Sequence, residues 1–406
     1  MRKIDTRDFR LATRATQREI NRQIALNLVR EHQPISRAEL ARRMAVGRGT
    51  VSKLVNGLIA DGMIYEGPAG DAPRGRKPKM LYVRTHDRLA VAVDLRFSRT
   101  YLALTDLSGT QIALETFPTC VSPPRFVEEL AERVHRLLAT HRNLGSCEGI
   151  GLIIPGMVDR RVGRVLNAPQ LGWRNVDIRD ALADATGLPV HIENGPMACA
   201  LSKLWLGRQA GTSAQDFAYF SIFDGVGVGV VVNGQIVRGY GQTAGEFGHI
   251  PLDPNGPRCL CGARGCLEAH TSDLATLSRY FGYELAEPST RARIVEAGLT
   301  VAGLIARART GDERARRTIE ETGRYIAAGV VMIVHVLSPE RIYIGGEIAG
   351  AWDLIEPFLR AAVEERALTE IAAATPIVPD LATSNPRLLG ATALVAAPVF
   401  AAPEVA

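Results

Sequence analysis

The chain has 406 residues, 46% hydrophobic and 22% charged, which excludes a single small module, a disordered scaffold and a low-complexity fibre and suits two or three domains. No apolar run reaches the ~18 residues of a membrane helix, and the N-terminus opens with Arg2, Lys3, Asp5 and Arg7, so neither a membrane span nor a signal core is expected and a cytoplasmic location is. The net charge of +5 is uneven: residues 1–86 hold 18 Lys and Arg against 8 Asp and Glu, a net +10, which leaves −5 on residues 87–406. A small basic unit (1–86) tied to a large acidic one (87–406) points to nucleic acid at one end and another task at the other. The plainer alternative is a solvated basic surface with no ligand.

Over residues 17–33 the apolar positions Ile20, Ile24, Ala25, Leu28 and Val29 recur at helical spacing, and Pro34 stops the run. Ser36-Arg37-Ala38-Glu39 reads as a capping box, with Ser36 accepting from the Glu39 N–H and the Glu39 side chain reaching back, so a second helix runs to about Met44. After the turn Ala45-Val46-Gly47, a third helix places Val51, Leu54, Val55, Leu58 and Ile59 on one face and Arg48, Thr50, Ser52, Lys53 and Asn56 on the other. Two helices joined by a short glycine-containing turn, the second with small polar and basic residues near its start, match the helix-turn-helix plan for the major groove. A helical hairpin that merely packs has no need of that grouping. Met63–Tyr65 and Met80–Val83 read as strands flanking a basic loop, a wing. Within the loop, Arg74, Arg76 and Lys77 with Gly75 resemble an AT-hook for the minor groove, a solvated loop being the alternative.

Further on, Val91–Asp94 begins a strand that is expected to continue, after a break at Arg96–Arg99, with Tyr101–Asp106. Ile150–Ile154 is a second strand, and Arg125–Leu138 and Ile178–Thr186 read as helices, so the region is α/β. Of six cysteines, three cluster as Cys259-x-Cys261-x4-Cys266, with His249 ten positions before the first. Three thiolates and one imidazole form a closed tetrahedral set of the structural zinc type, with no position left for a catalytic water. Cys120, Cys147 and Cys199 lack such neighbours and are expected to be buried thiols.

Gly245-Glu246-Phe247-Gly248-His249 followed by Cys259-Leu260-Cys261-Gly262-Ala263-Arg264-Gly265-Cys266-Leu267-Glu268 resembles the signature of the ROK family, which contains sugar kinases and sugar-responsive repressors. The resemblance covers nearly the whole chain, including Leu337–Gly346. It implies an N-terminal winged helix-turn-helix followed by a two-lobed actin-like ATPase (ribonuclease H-like) α/β fold. In the family's kinases a Glu-Asn-Asp motif supplies the base for the sugar hydroxyl; here the matching stretch is Glu193-Asn194-Gly195, and glycine cannot accept a proton. Asp94–Thr100 carries bulky residues where the kinases have a glycine-rich phosphate loop. Asp224 stands where they have a threonine, and Glu347 replaces a further glycine. The glycines at 225, 227 and 229 fit tight strand packing better than phosphate binding.

The resemblance assigns Asn194, Glu246, His249 and Glu268 to sugar hydroxyls, with Asn167 at the pocket rim. For Glu246 and Glu268 a supporting role beside the zinc is the alternative. Together these features imply a regulator without enzymatic activity that binds double-stranded operator DNA as a homodimer or homotetramer and answers to a carbohydrate or carbohydrate derivative. An active sugar kinase with a DNA-binding appendage, and a regulator controlled by a partner protein, are the rival readings.

Overall fold

The computed structural model of the protein describes residues 13–69, 77–207 and 214–401. Arg74 and Arg76 of the basic loop lie outside the described residues, and Lys77 lies inside.

The N-terminal region comprises α1 (Arg14–His32), β1 (Ile35–Ser36), α2 (Arg37–Met44), α3 (Arg48–Ala60), β2 (Ile64–Ala69) and β3 (Lys79–Val83). The hydroxyl of Thr13 accepts from the Thr16 N–H, and the Thr16 hydroxyl accepts from the Thr13 N–H, which fixes the start of α1. Ser36 caps α2 by accepting from the Glu39 N–H at 3.1 Å. The return bond expected from the Glu39 side chain is absent, because Arg42 and Arg43 one turn on draw that carboxylate outward. In the α2–α3 turn the left-handed residue is Ala45 (φ 53°), and Gly47 has an ordinary φ of −64° as the cap of α3. Strands pair antiparallel in the order β1-β3-β2, a winged helix; the two-residue β1 is too short to announce itself in sequence. Packing shifts the expected face of α1: Leu26 is buried, while Ile24 is 44% exposed.

The rest of the chain forms two lobes. The first contains β4 (Arg88–Leu95), β5 (Arg99–Asp106), β6 (Gln111–Pro118), α4 (Pro123–Thr140), β7 (Ser146–Ile154), β8 (Met157–Asp159), β9 (Arg164–Ala168), β10 (Trp173–Asp177), α5 (Ile178–Thr186), β11 (Val190–Asn194) and α6 (Gly195–Leu206). The second contains β12 (Phe217–Ile222), β13 (Val226–Val232), β14 (Gln235–Ile236), α7 (Glu268–Thr271), α8 (Asp273–Phe281), α9 (Thr290–Glu296), α10 (Val301–Arg309), α11 (Glu313–Leu337), β15 (Arg341–Gly345), α12 (Trp352–Arg366), α13 (Glu370–Ala373) and β16 (Ile377–Asp380), and the last helix, α14 (Pro386–Phe400), returns to the sheet of the first lobe.

Each lobe is built on a five-stranded sheet, in the orders β11-β7-β4-β5-β6 and β14-β13-β12-β15-β16. In both, an antiparallel three-strand meander is extended by two parallel strands, so one pattern is used twice. The expected single interrupted strand over Val91–Asp106 is instead the hairpin β4–β5: Leu95 pairs with Thr100, and the Arg96 N–H donates to the Arg99 carbonyl across the turn. All six cysteines are free. Cys199 is buried, its thiol pushed up to about 12 chiefly by that burial, whereas Cys120 and Cys147 are only half-buried.

Two helices run through the region where the lobes meet. α6 packs on β12 and β13, and α14 packs on β4, β7 and α6. The glycines of β13 serve this packing: a β-carbon on Gly227 would press on the Pro196 ring, and one on Gly229 would collide with the Pro196 carbonyl and the Ala200 methyl. Glu347 accepts from the Ala302 N–H at 2.8 Å, which ties it to the first turn of α10.

Candidate functional site

The loop from Glu246 to Glu268 is folded by two isolated bridges, Pro251 with Cys266 and Arg258 with Arg264. Gly265 is required there: its φ is +66°, and a β-carbon would collide with the Asp253 carbonyl. The fold brings His249, Cys259, Cys261 and Cys266 together, with one ligand atom from each and all four within 4.8 Å of one another. The Cys261 and Cys266 sulfurs are 3.7 Å apart, and the Cys259 sulfur is 3.9 Å from His249 Nδ1. Ligands at ~2.3 Å from a tetrahedral ion stand about 3.8 Å from each other, so the set could hold a metal. Burial pushes the Cys259 and Cys266 thiols up, a cost that a bound cation would reverse. The other ring nitrogen of His249, Nε2, faces the Glu246 carboxylate at 3.8 Å.

Beside this cluster, between the lobes, lies a cavity of about 560 Å³. All five residues expected at a ligand line it: Asn167 from β9, Asn194 at the end of β11, Glu246 and His249 from the cysteine-rich loop, and Glu268 at the start of α7. Asn194 spends its Oδ1 on capping α6 through the Met197 N–H at 3.0 Å, which leaves its amide NH2 for the cleft. Glu268 accepts from the Val226 N–H at 2.9 Å. Burial, with Glu268 nearby, raises the Glu246 carboxyl against the lowering pull of His249.

Sequence reasoning missed Arg387 and the role of Arg96, which also line the cavity. Asp94, 0% exposed, accepts from Arg387 Nε at 2.6 Å and from Arg96 Nε at 2.7 Å. Burial alone would push the Asp94 carboxyl up; the guanidinium of Arg387, then that of Arg96, holds it below its ordinary value. Nη1 of Arg387 is turned toward Gly195, where a β-carbon would collide with it. One signal pointed to Arg387: it is the only charge in the otherwise apolar α14.

On the N-terminal unit, Arg48, Thr50, Lys53 and Asn56 of α3 are exposed and Ser52 is half-buried. Asn56 Oδ1 accepts from Arg37 Nη2 at 2.9 Å, and Arg37 also pairs with Glu66 of the wing, which in turn holds Lys79. Arg37, the first residue of α2, therefore belongs to the same face, although its sequence position suggested only a helix start.

A winged helix joined to two kinase-like lobes, with a guanidinium beside Gly195 at the head of α6, is the plan of a transcriptional regulator rather than of an enzyme. The ROK family pattern matches residues 90–397 and a MarR family pattern matches residues 23–74. The chain belongs to the ROK family. It is 26% identical over 381 residues to the xylose repressor of Bacillus subtilis (strain 168), covering 93% of this chain and 95% of that one. It is also 26% identical over 366 residues to the DNA-binding transcriptional dual regulator NagC of Escherichia coli (strain K12), covering 89% and 88%. The crystal structure of a ROK family transcriptional regulator, a homolog of the E. coli MLC protein, superposes with a TM-score of 0.79 at 26% identity over 95% of this chain and 97% of that one.

Proposed function

We propose that the protein is a cytoplasmic repressor of carbohydrate genes that binds operator DNA through α3 and its wing and is released by a sugar or sugar derivative held in the cleft. The observation that carries the reading is the pairing of two surfaces in one chain: the exposed Arg48, Thr50 and Lys53 at the start of α3, and a cleft whose polar wall comprises Asn167, Asn194, Glu246, His249 and Glu268. Carboxylates suit a polyol because each can accept from neighbouring hydroxyls. Ser52, Asn56 and the wing residues Arg74, Arg76 and Lys77 add phosphate and groove contacts.

A division near residue 86 separates the DNA-binding unit from the ligand-binding one. A zinc ion on Cys259, Cys261, Cys266 and His249 would supply folding energy, tying the loop that carries Glu246 to the segment leading into Glu268. Ligand closes the lobes and, in a homodimer or homotetramer, changes the spacing of the winged helices so that two half-sites are no longer matched. Binding to an operator selected from a random duplex pool, repeated with a panel of sugars, sugar phosphates and sugar acids, tests the reading. A loss of affinity with one of them is expected; full retention with all of them overturns it.

A further inference from the structure

The helices α6 and α14 share more than a packing surface. Both begin at the cleft: α6 with Gly195 directly after Asn194, and α14 with Pro386 and the cavity-lining Arg387. Both end against the winged helix. Trp205, near the end of α6, and Val395, Ala396, Val399 and Phe400 of α14 pack into the cluster formed by Ala25, Leu26 and Val29 of α1, Leu40 of α2 and Val51, Val55 and Leu58 of α3. The core of the DNA-binding unit is thus continuous with the last turns of the two helices and is not isolated from them by a tether.

Polar contacts reinforce that end. Asn27 Nδ2 donates to the Phe400 carbonyl at 2.8 Å, and Gln23 Nε2 donates to the Val399 carbonyl at 3.4 Å. The Arg30 guanidinium lies over both the Trp205 ring and the Phe400 ring, at 4.7 and 4.8 Å from their centroids, so one α1 side chain grips the tips of both helices. Between the ends the helices touch backbone to backbone: a β-carbon on Gly390 would collide with the Ala198 carbonyl. At ~1.5 Å per residue they span about 18 and 22 Å from cleft to winged helix. A close-packed pair of that kind has no slack to absorb a shift at one end.

We propose that α6 and α14 are the coupling element of this regulator. Their cleft ends read the ligand through Asn194, Gly195 and Arg387, and their far ends, gripped by Arg30 through Trp205 and Phe400, set the position of the winged helix. Arg30 is a positioning residue: it lies outside the cleft and acts on the response through the two helices. The proposal rests on the cleft being the effector site, and its test is built without any effector.

Gly195→Ala places a methyl group against the Arg387 guanidinium, which Asp94 already holds, so that guanidinium or the helix head beside it must shift. Affinity for an operator selected with the wild type is measured for wild type, Gly195→Ala, Arg30→Ala and the double variant, with thermal melts to establish folding. Gly195→Ala is expected to change operator affinity about five- to tenfold although residue 195 is outside the winged helix, and Arg30→Ala to reduce that change to less than about twofold. Equal changes in both backgrounds, or no change in a folded Gly195→Ala protein, overturns the proposal. Should Arg30→Ala fail to fold, Asn27→Ala removes the bond to Phe400 more gently; should Gly195→Ala fail, Arg387→Lys perturbs the same end. A non-additive cycle in a protein that ignores every carbohydrate would sink the proposed effector class and leave the coupling standing.

Discussion

Asp94→Asn is the sharpest probe of the electrostatics at the lobe junction. The substitution keeps the shape of the side chain and removes the charge that two guanidiniums approach at 2.6 and 2.7 Å. Removing one partner of a buried ion pair costs about 3–5 kcal/mol because the remaining charge is left uncompensated. Arg387 has a side chain only 10% exposed and bears that cost, whereas Arg96 is 31% exposed and is partly screened by water. The low end of the range therefore applies, about 3 kcal/mol, which at ~2.1 cal/mol/K per residue over a unit of about 320 residues corresponds to a fall in Tm of roughly 4–5 °C.

The pH dependence has a defined sign. A carboxyl held below its unfolded value contributes stability at every pH above about 3.9 and loses it as pH falls through the depressed folded value. The gap between wild type and Asp94→Asn should therefore stay constant from pH 8 to pH 5. Urea and thermal unfolding at several pH values in that range provide the assay. A Tm within about 1–2 °C of wild type at pH 7, or a gap that fades between pH 8 and pH 5, would refute the assignment of Asp94 as a buried anion shared by Arg96 and Arg387.

Purified protein should carry about one equivalent of zinc per chain by elemental analysis. Cys259→Ser or a strong chelator should remove it and lower the Tm, and full stability of metal-free protein would dismiss the cluster as a structural site. Arg48→Ala and Lys53→Ala should each weaken operator binding and reduce the steepness of its salt dependence by about one ion if the residue meets a phosphate. Unchanged binding at fixed salt would remove α3 from the interface. Gly229→Ala should destabilise the protein by about 1–3 kcal/mol in chemical denaturation, because its methyl group meets the Pro196 carbonyl and Ala200 of α6; a neutral result would mean that α6 and β13 separate readily.

The parts of this structure legible in the sequence are those encoded by near neighbours. The helices and wing follow from periodicity and turn residues, and the residues of the His/Cys cluster follow from cysteine spacing with one histidine upstream. Ile24 and Leu26 show where such reading stops: both are apolar and two residues apart on α1, and Leu26 belongs to a core that the end of α14, some 370 positions away, helps to form. Arg96–Arg99 looked like a break in one strand because nothing local states that β5 returns antiparallel on β4. In the cleft, the residues of the Glu246–Glu268 loop could be named in advance, whereas Arg387 could not be assigned to it, because its partner Asp94 is 293 residues away.

The position beside Gly195 is filled, not vacant. Where the family resemblance places an aspartate side chain, a guanidinium from near the C-terminus occupies the volume. An aspartate restored at 195 would meet Arg387 before it met any hydroxyl and would be held as one half of an ion pair, a poor proton acceptor. A free carboxylate at 195 would require a change at 387 as well, and that change would leave Asp94 with Arg96 alone. Placing a working base at 195 is therefore a problem of three residues and not of one, because Gly195, Arg387 and Asp94 are fitted to each other.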